Sequence, residues 1–400
     1  MSGSRAIKVI AAAVVTATCV VSATAAQPAA TAGAAYKEVG RWGKVGNAQG
    51  QFPGNAYGLA TDKAGDVYVA DSDGHRIQIF SSKGAFKGNL AFDPSELVED
   101  VAVGPEGDAW GTAQQTAQAR RFPKGGGQPE NLGTPKAADG IAVDADGNVY
   151  VSTNGDNIDA VVRFDKTPSG WEGAKTWADG FQLPGDIEVS VDGSIYVADR
   201  MGSPPNIKHF DANGKLLGTI RTQLPATAGA GAQYGIGIDP DCNVWATNVP
   251  QRNLVKYSPA GKVLATATSG DLQAQDVAVG TTGDLYAYDV ATHSVIHFAE
   301  DRSKPQVANV VGTVTVSGCV AKVKFALTGI ACPAQVAATA SLTGNGISGK
   351  ANVKVVAGKT TVIAIPVKAA KGTTSAQFKI VLKTNGRPTT QVRAVTVAVS

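Results

Sequence analysis

The chain has 400 residues, of which only 17% are charged, and it is rich in glycine (47 residues) with a formal net charge of +3. Such a length allows two or three domains with ample core, and the excess of Gly, Val, Thr and Ala favours short strands and tight turns. The small net charge conceals a division: residues 311–400 carry eleven Lys and Arg and no Asp or Glu, whereas all 33 acids lie between residues 27 and 310.

Residues 1–26 read as an export signal. Arg5 and Lys8 form a basic start, an apolar run extends from Val9 to Val21, and small residues follow at Ala23–Ala26. The run is short for a membrane span, so cleavage and secretion are expected. No later segment is apolar enough to cross a bilayer, so the mature chain is expected to lack a transmembrane segment.

From residue 36 onward the chain repeats itself. Each unit carries a turn before an aromatic: Gly65-Asp66-Val67-Tyr68, Gly107-Asp108-Ala109-Trp110, Gly147-Asn148-Val149-Tyr150, Gly193-Ser194-Ile195-Tyr196, Cys242-Asn243-Val244-Trp245 and Gly283-Asp284-Leu285-Tyr286. Successive aromatics are 42, 40, 46, 49 and 41 residues apart. An alternating apolar run precedes each turn, and a third strand ending in an aromatic follows it, as in Ile77-Gln78-Ile79-Phe80. Four strands per unit make a twisted antiparallel sheet that cannot bury both faces alone, so radial packing of six such sheets is the expected solution. Tyr36–Gly43 reads as a lone strand before the first unit, and the sixth unit lacks a final strand. The N-terminal strand is therefore expected to complete the last blade.

The stretch Gly50-Gln51-Phe52-Pro53 to Phe80, with Val69-Ala70-Asp71 and His75-Arg76-Ile77, resembles an NHL repeat almost position for position. The resemblance extends in weaker form over residues 36–303 and implies an all-β, six-bladed propeller. Such propellers mostly bind protein, nucleic acid or carbohydrate on one face, and some related ones are enzymes. Export argues against nucleic acid as the partner here, leaving an extracellular protein or carbohydrate.

In a propeller, the residues that open each innermost strand converge on one mouth of the central channel. Immediately before the first apolar residue stand Gly58, Asp100, Gly140, Asp186, Gly235 and Asp276, so Gly and Asp alternate by blade. One place earlier stand Tyr57, Glu99, Asp139, Gly185, Tyr234 and Gln275. Tyr57, Glu99, Asp100, Asp139, Asp186, Tyr234 and Asp276 are therefore the candidate ligand-binding set. Crowded carboxylates raise one another's pKa or recruit a cation, and Ca²⁺ on Asp139, Asp186 and Asp276 is one expectation. Asp71, Asp199 and Asp289, which end second strands, read as turn caps. No catalytic residue is assigned. His75, His209, His293 and His297 read as packing or surface residues, and Asp144-Ala145-Asp146-Gly147-Asn148 as a hairpin turn rather than a calcium loop.

Ala138-Asp139-Gly140-Ile141 through Tyr150 is similar to the Pro-Asp-Gly segment of gluconolactonase-like propellers, which implies Asp139 as a metal ligand in a divalent-metal-dependent hydrolase or lactonase. Against this, the Glu such enzymes carry in the first blade has no counterpart at Asn55 or Tyr57. The principal expectation is a non-enzymatic binding protein, with the hydrolase as the alternative.

Residues 304–312 read as a linker. Residues 313–400 read as a small basic β-sandwich of six or seven strands resembling immunoglobulin-like accessory modules. Cys319 and Cys332 are expected to form a disulfide, worth roughly 3 kcal/mol for a loop of that size. Cys242 reads as a free thiol or an inter-chain partner. The eleven positive charges of the tail suggest an anionic cell-wall polymer as its partner, and a location outside the cell on the envelope.

Overall fold

The computed structural model describes residues 36–300, apart from 136, 156–158, 203 and 225–234, together with seven strands between residues 309 and 399. The expected signal at 1–26, Tyr234, Cys319, Cys332 and most of the 304–312 linker lie outside the described residues.

Six four-stranded antiparallel sheets follow one another along the chain. The first comprises Ala56–Thr61, Val67–Asp71, Arg76–Phe80 and Phe86–Ala91, and the next four repeat that meander. The sixth comprises Ala274–Val279, Leu285–Asp289 and Ser294–Glu300, and its fourth strand is Tyr36–Trp42, paired antiparallel with Ser294–Glu300. The N-terminal strand thus closes the ring as expected. The chain is an all-β, six-bladed propeller; helix among the described residues includes a single 3₁₀ turn at Val249–Gln251. No helix is long and apolar enough to cross a membrane among the described residues.

The second strand of each blade is buried along its whole length or nearly so, because both its faces meet neighbouring sheets. Its aromatic, or the residue beside it, fills the gap between blades: Trp110, Tyr150, Tyr196, Trp245 and Tyr286 are all buried. Separate apolar clusters therefore form between successive blades, and one of them joins Val67, Val69 and Phe80 of the first blade to Ala278, Tyr288 and Val295 of the sixth.

The inner strands share a bulge. Register shifts between Ala56 and Leu59, Val98 and Val101, Ala138 and Ile141, Pro184 and Ile187, and Ala274 and Val277. A bulge turns side chains out of the ladder and is often found beside a site. Here the bulged pairs are Tyr57-Gly58, Glu99-Asp100, Asp139-Gly140, Gly185-Asp186 and Gln275-Asp276, the positions singled out from sequence.

The turn and histidine expectations hold. The Asp144 carboxylate accepts the N–H groups of Asp146 and Asn148, closing a hairpin turn. Asp71 accepts from Arg76 and Gln78, and Asp199 from Gln182 and Lys208. His75 and His293 occupy the same left-handed turn position and meet the carbonyls of Glu96 and Gly54. His209 and His297 stack on Tyr196 and Tyr286. Cys242 corrects an expectation: it is disulfide-bonded rather than free.

The tail contains seven strands, Asn309–Ser317, Val320–Thr328, Val336–Gly344, Ile347–Val355, Thr360–Ala369, Gly372–Thr384 and Arg387–Val399. Every neighbouring pair is antiparallel, and the spatial order is first, second, fifth, fourth, third, sixth, seventh. The fifth strand pairs with the second over Thr360–Pro366 and with the fourth over Val367–Ala369.

Candidate functional site

The bulged residues meet on the propeller axis. Asp100, Asp186 and Asp276 come from the second, fourth and sixth blades, and each carboxylate reaches sideways to the next blade. Asp100 accepts the N–H of Ile141 at 2.8 Å, Asp186 that of Ile236 at 2.7 Å, and Asp276 that of Leu59 at 2.6 Å. Each also accepts the N–H of the residue that follows it, Val101 and Val277 at 2.7 and 2.6 Å and Ile187 likewise. Three carboxylates thereby bridge three pairs of blades.

The alternating glycines have a steric cause. A Cβ on Gly58 would lie 2.6 Å from the Asp100 Cα, one on Gly140 2.8 Å from the Asp186 Cα, and one on Gly235 2.6 Å from the Asp276 Cα. An aspartate on one blade requires a glycine on the blade before it. Second-strand hydroxyls complete the weave: Ser152 accepts from the Gly140 N–H and donates to the Gly185 carbonyl, and Thr112 accepts from the Asp100 N–H and donates to the Asp139 carbonyl.

Burial and mutual repulsion shape the electrostatics. Burial is the largest cause holding Asp100 well above the usual carboxylate range, with the charges of Asp186 and Asp276 adding to it. Asp276 is displaced the same way, by burial first and then by Asp186. Asp186 is pushed up to about 7, chiefly by burial, with the N–H groups of Ile236 and Ile187 and the Asp276 carboxyl opposing. These acids bind protons more tightly folded than unfolded. The stability they contribute is therefore greatest below the ordinary carboxylate pKa and falls as pH rises towards 7. Beneath them, Glu188 faces a second cavity of about 170 Å³ in the channel and is likewise raised, by burial and by Asp186.

Above the carboxylate ring lies a cavity of about 340 Å³. Tyr57, Glu99, Asp100, Asp139, Asp186 and Asp276 all line it, six of the seven residues expected from sequence. Leu97, Gln114 and Arg200 line it too, and sequence reasoning had missed them. The signal was one residue downstream of a row already read. The residues following the second strands are Ser72, Gln114, Asn154, Arg200, Val249 and Val290; Gln114 and Arg200 reach the cavity and Asn154 holds Asp139.

Asp139 is engaged rather than open. Arg200 pairs with its carboxylate, and Asn154 donates to the same oxygen at 2.8 Å. Burial raises the Asp139 pKa and Arg200 pulls the other way. Asp186 and Asp276 accept backbone N–H groups, and one Asp139 oxygen is taken by Arg200 and Asn154. No group of three or more His, Cys, Asp or Glu suited to a metal ion is present among the described residues.

Glu99 differs from its neighbours, because its carboxyl makes no hydrogen bond among the described residues. It is pushed up to about 7, by burial first, then by the charges of Asp139 and Asp73, with Arg200 opposing. What the mouth offers is one uncommitted carboxyl, a neutralised Arg–Asp pair, an amide and a tyrosine around a small space.

The NHL repeat family model matches residues 56–80. No curated protein matches the sequence. Among solved structures the chain is similar to XC5397, a gluconolactonase of Xanthomonas campestris, at 14% identity over 62% of this chain and 88% of that one, with a TM-score of 0.50. It is also similar to a streptogramin B lyase, at 14% identity over 66% and 97% with a TM-score of 0.48. Virginiamycin B lyase from Staphylococcus aureus is similar at 14% over 70% and 95%, with a TM-score of 0.48. At such identity the likeness is one of fold.

Proposed function

We propose, from the premise that this chain is a six-bladed β-propeller carrying an NHL repeat, that it is a secreted binding protein whose mouth holds a small ligand without chemical turnover. One observation carries the reading: the bulged residues of separate blades converge on a single cavity of about 340 Å³, at the lower end of the ~300–1,000 Å³ usual for small-molecule sites. The acids there are mostly engaged in holding the blades together, and the side chains left over are suited to hydrogen bonding and charge recognition. A metal-dependent hydrolase would need Asp139 open to an ion, and Arg200 and Asn154 occupy it. The basic tail, taken as an immunoglobulin-like sandwich from its strand order, would attach the protein to anionic envelope polymer.

The test is capture of small molecules from an enzymatic digest of cell envelope. Full-length protein is loaded with the digest, washed in about 0.5 M salt to screen attraction to the tail, and its bound molecules are identified by mass spectrometry. Leu97→Trp fills the mouth from its half-buried rim. The variant is expected to melt like the parent and to retain less than a tenth of the captured species. Equal capture by both proteins would place the ligand elsewhere.

A further inference from the structure

The acids of the mouth divide by what their oxygens already do. Asp100, Asp186 and Asp276 accept backbone N–H groups from two blades each. Asp139 is held by Arg200 and Asn154. Glu99 alone among them has no hydrogen-bond partner among the described residues, although it lines the cavity and is half-buried. A carboxylate removed from water without a partner is costly, and a ligand that supplies a charged donor recovers that cost.

The surroundings select the sign of the ligand. Arg200 is the cation in the cavity lining, and Asp139 neutralises it. Asp73 adds negative potential at Glu99 from the neighbouring blade, and the carboxylate ring lies at the cavity floor. An anion entering this space would meet Glu99 and the ring, whereas a cation would meet one open carboxylate. The Gln114 side-chain amide makes no hydrogen bond among the described residues and lines the same cavity, available to a hydroxyl or carbonyl at the ligand's other end. A space of about 340 Å³ admits a molecule of roughly monosaccharide or amino-acid size.

Resting on the reading of the mouth as a ligand site, we propose that it recognises a small primary ammonium compound bearing a second polar group, with Glu99 as the counter-charge. The ammonium donates to the Glu99 carboxylate, and the second group meets Gln114. An aliphatic ammonium stays protonated to about pH 10. Glu99 gains its charge near pH 7, so binding strengthens from pH 6 to pH 8 and then levels off. The ring acids Asp100, Asp186 and Asp276 also titrate above the usual range, and removing the Glu99 carboxylate separates their effect from its own.

The probes are 5-aminopentan-1-ol and its uncharged counterpart 1,5-pentanediol, followed by ligand-observed NMR titration on full-length protein. At pH 8 the amino alcohol is expected to bind at least tenfold more tightly than the diol, with the margin shrinking at pH 6. Glu99→Gln is expected to lose that margin and its pH dependence while melting at the parental temperature. Equal binding of the two probes by the parent protein, absence of amino-alcohol binding, or an undiminished margin in Glu99→Gln would each overturn the proposal. The probe comparison on the parent needs no variant, so a folding defect in Glu99→Gln does not decide the matter. Envelope species captured by the parent and by Glu99→Gln but lost by Leu97→Trp would remove the ammonium proposal and leave the mouth as the site. Capture undiminished in Leu97→Trp would remove both.

Discussion

Asp276→Ala is expected to lower the melting temperature by roughly 8 °C, about 3 kcal/mol for a domain of this size. Its carboxylate accepts the Leu59 N–H of the first blade and the Val277 N–H of its own, both buried. Removing it strands two backbone donors, at about 1–3 kcal/mol each, while relief from Asp186 returns part of the loss. The bond to Leu59 lies where the sixth blade meets the first, so the damage falls on the junction that closes the ring. Gly235→Ala should disturb Asp276 from the fifth blade instead, since its Cβ would lie 2.6 Å from the Asp276 Cα. Thermal unfolding followed by circular dichroism gives the answer. A shift below about 2 °C for Asp276→Ala would show that the carboxylate does not brace the blades.

Removing residues 36–42 is expected to abolish cooperative unfolding of the propeller altogether. That strand supplies the fourth member of the sixth blade along Ser294–Glu300. Without it the Ser294–Glu300 strand, buried or half-buried along its length, becomes the exposed edge of a three-stranded blade, a known route to aggregation. Its side chains also reach neighbouring elements. Tyr36 packs edge-on against Trp245 of the fifth blade with ring centroids 4.7 Å apart, and Trp42 lies between Phe80 and Tyr286. Arg41 donates to Thr292 at 2.9 Å and pairs with Asp289. A milder probe, Trp42→Ala, removes a half-buried indole that is worth about 3 kcal/mol or more when such a ring leaves a packed site. A truncated chain that still melts in one sharp transition near the parental temperature would contradict the closure described above.

Much of this architecture was legible because a turn and an aromatic recur at a near-constant interval, and a repeated sheet has few ways to bury itself. The mouth was legible for a related reason: counting back from the first apolar residue of each inner strand lands on the bulge that every such strand except the fifth, at its described residues, displays. The alternation of Asp with Gly was visible as a pattern, but its cause was not. Nothing in a single chain's sequence says that the Asp100 carboxylate ends on Ile141, 41 residues later, or that Gly58 must yield space to the Asp100 backbone. For the same reason the pairing of Asp139 with Arg200, which stands in another blade, was not legible. Arg200, Gln114 and Asn154 escaped notice because their row, from Ser72 to Val290, shares a position in space and no chemical type.

Whether carboxyls from alternate blades meet on one axis can be read from aspartate side-chain carbonyl resonances in protein labelled with ¹³C at Cγ, followed from pH 3 to pH 9. Substitution of Asp100, Asp186 and Asp276 one at a time assigns the three signals. They are expected to remain protonated in part well after the exposed aspartates have ionised, with Asp186 changing near 7; replacing Asp186 should lower the midpoints of Asp100 and Asp276, and replacing Asp276 should lower that of Asp100. If all three instead ionise with the exposed aspartates near pH 4, and none responds to loss of another, the carboxyls do not share the axis.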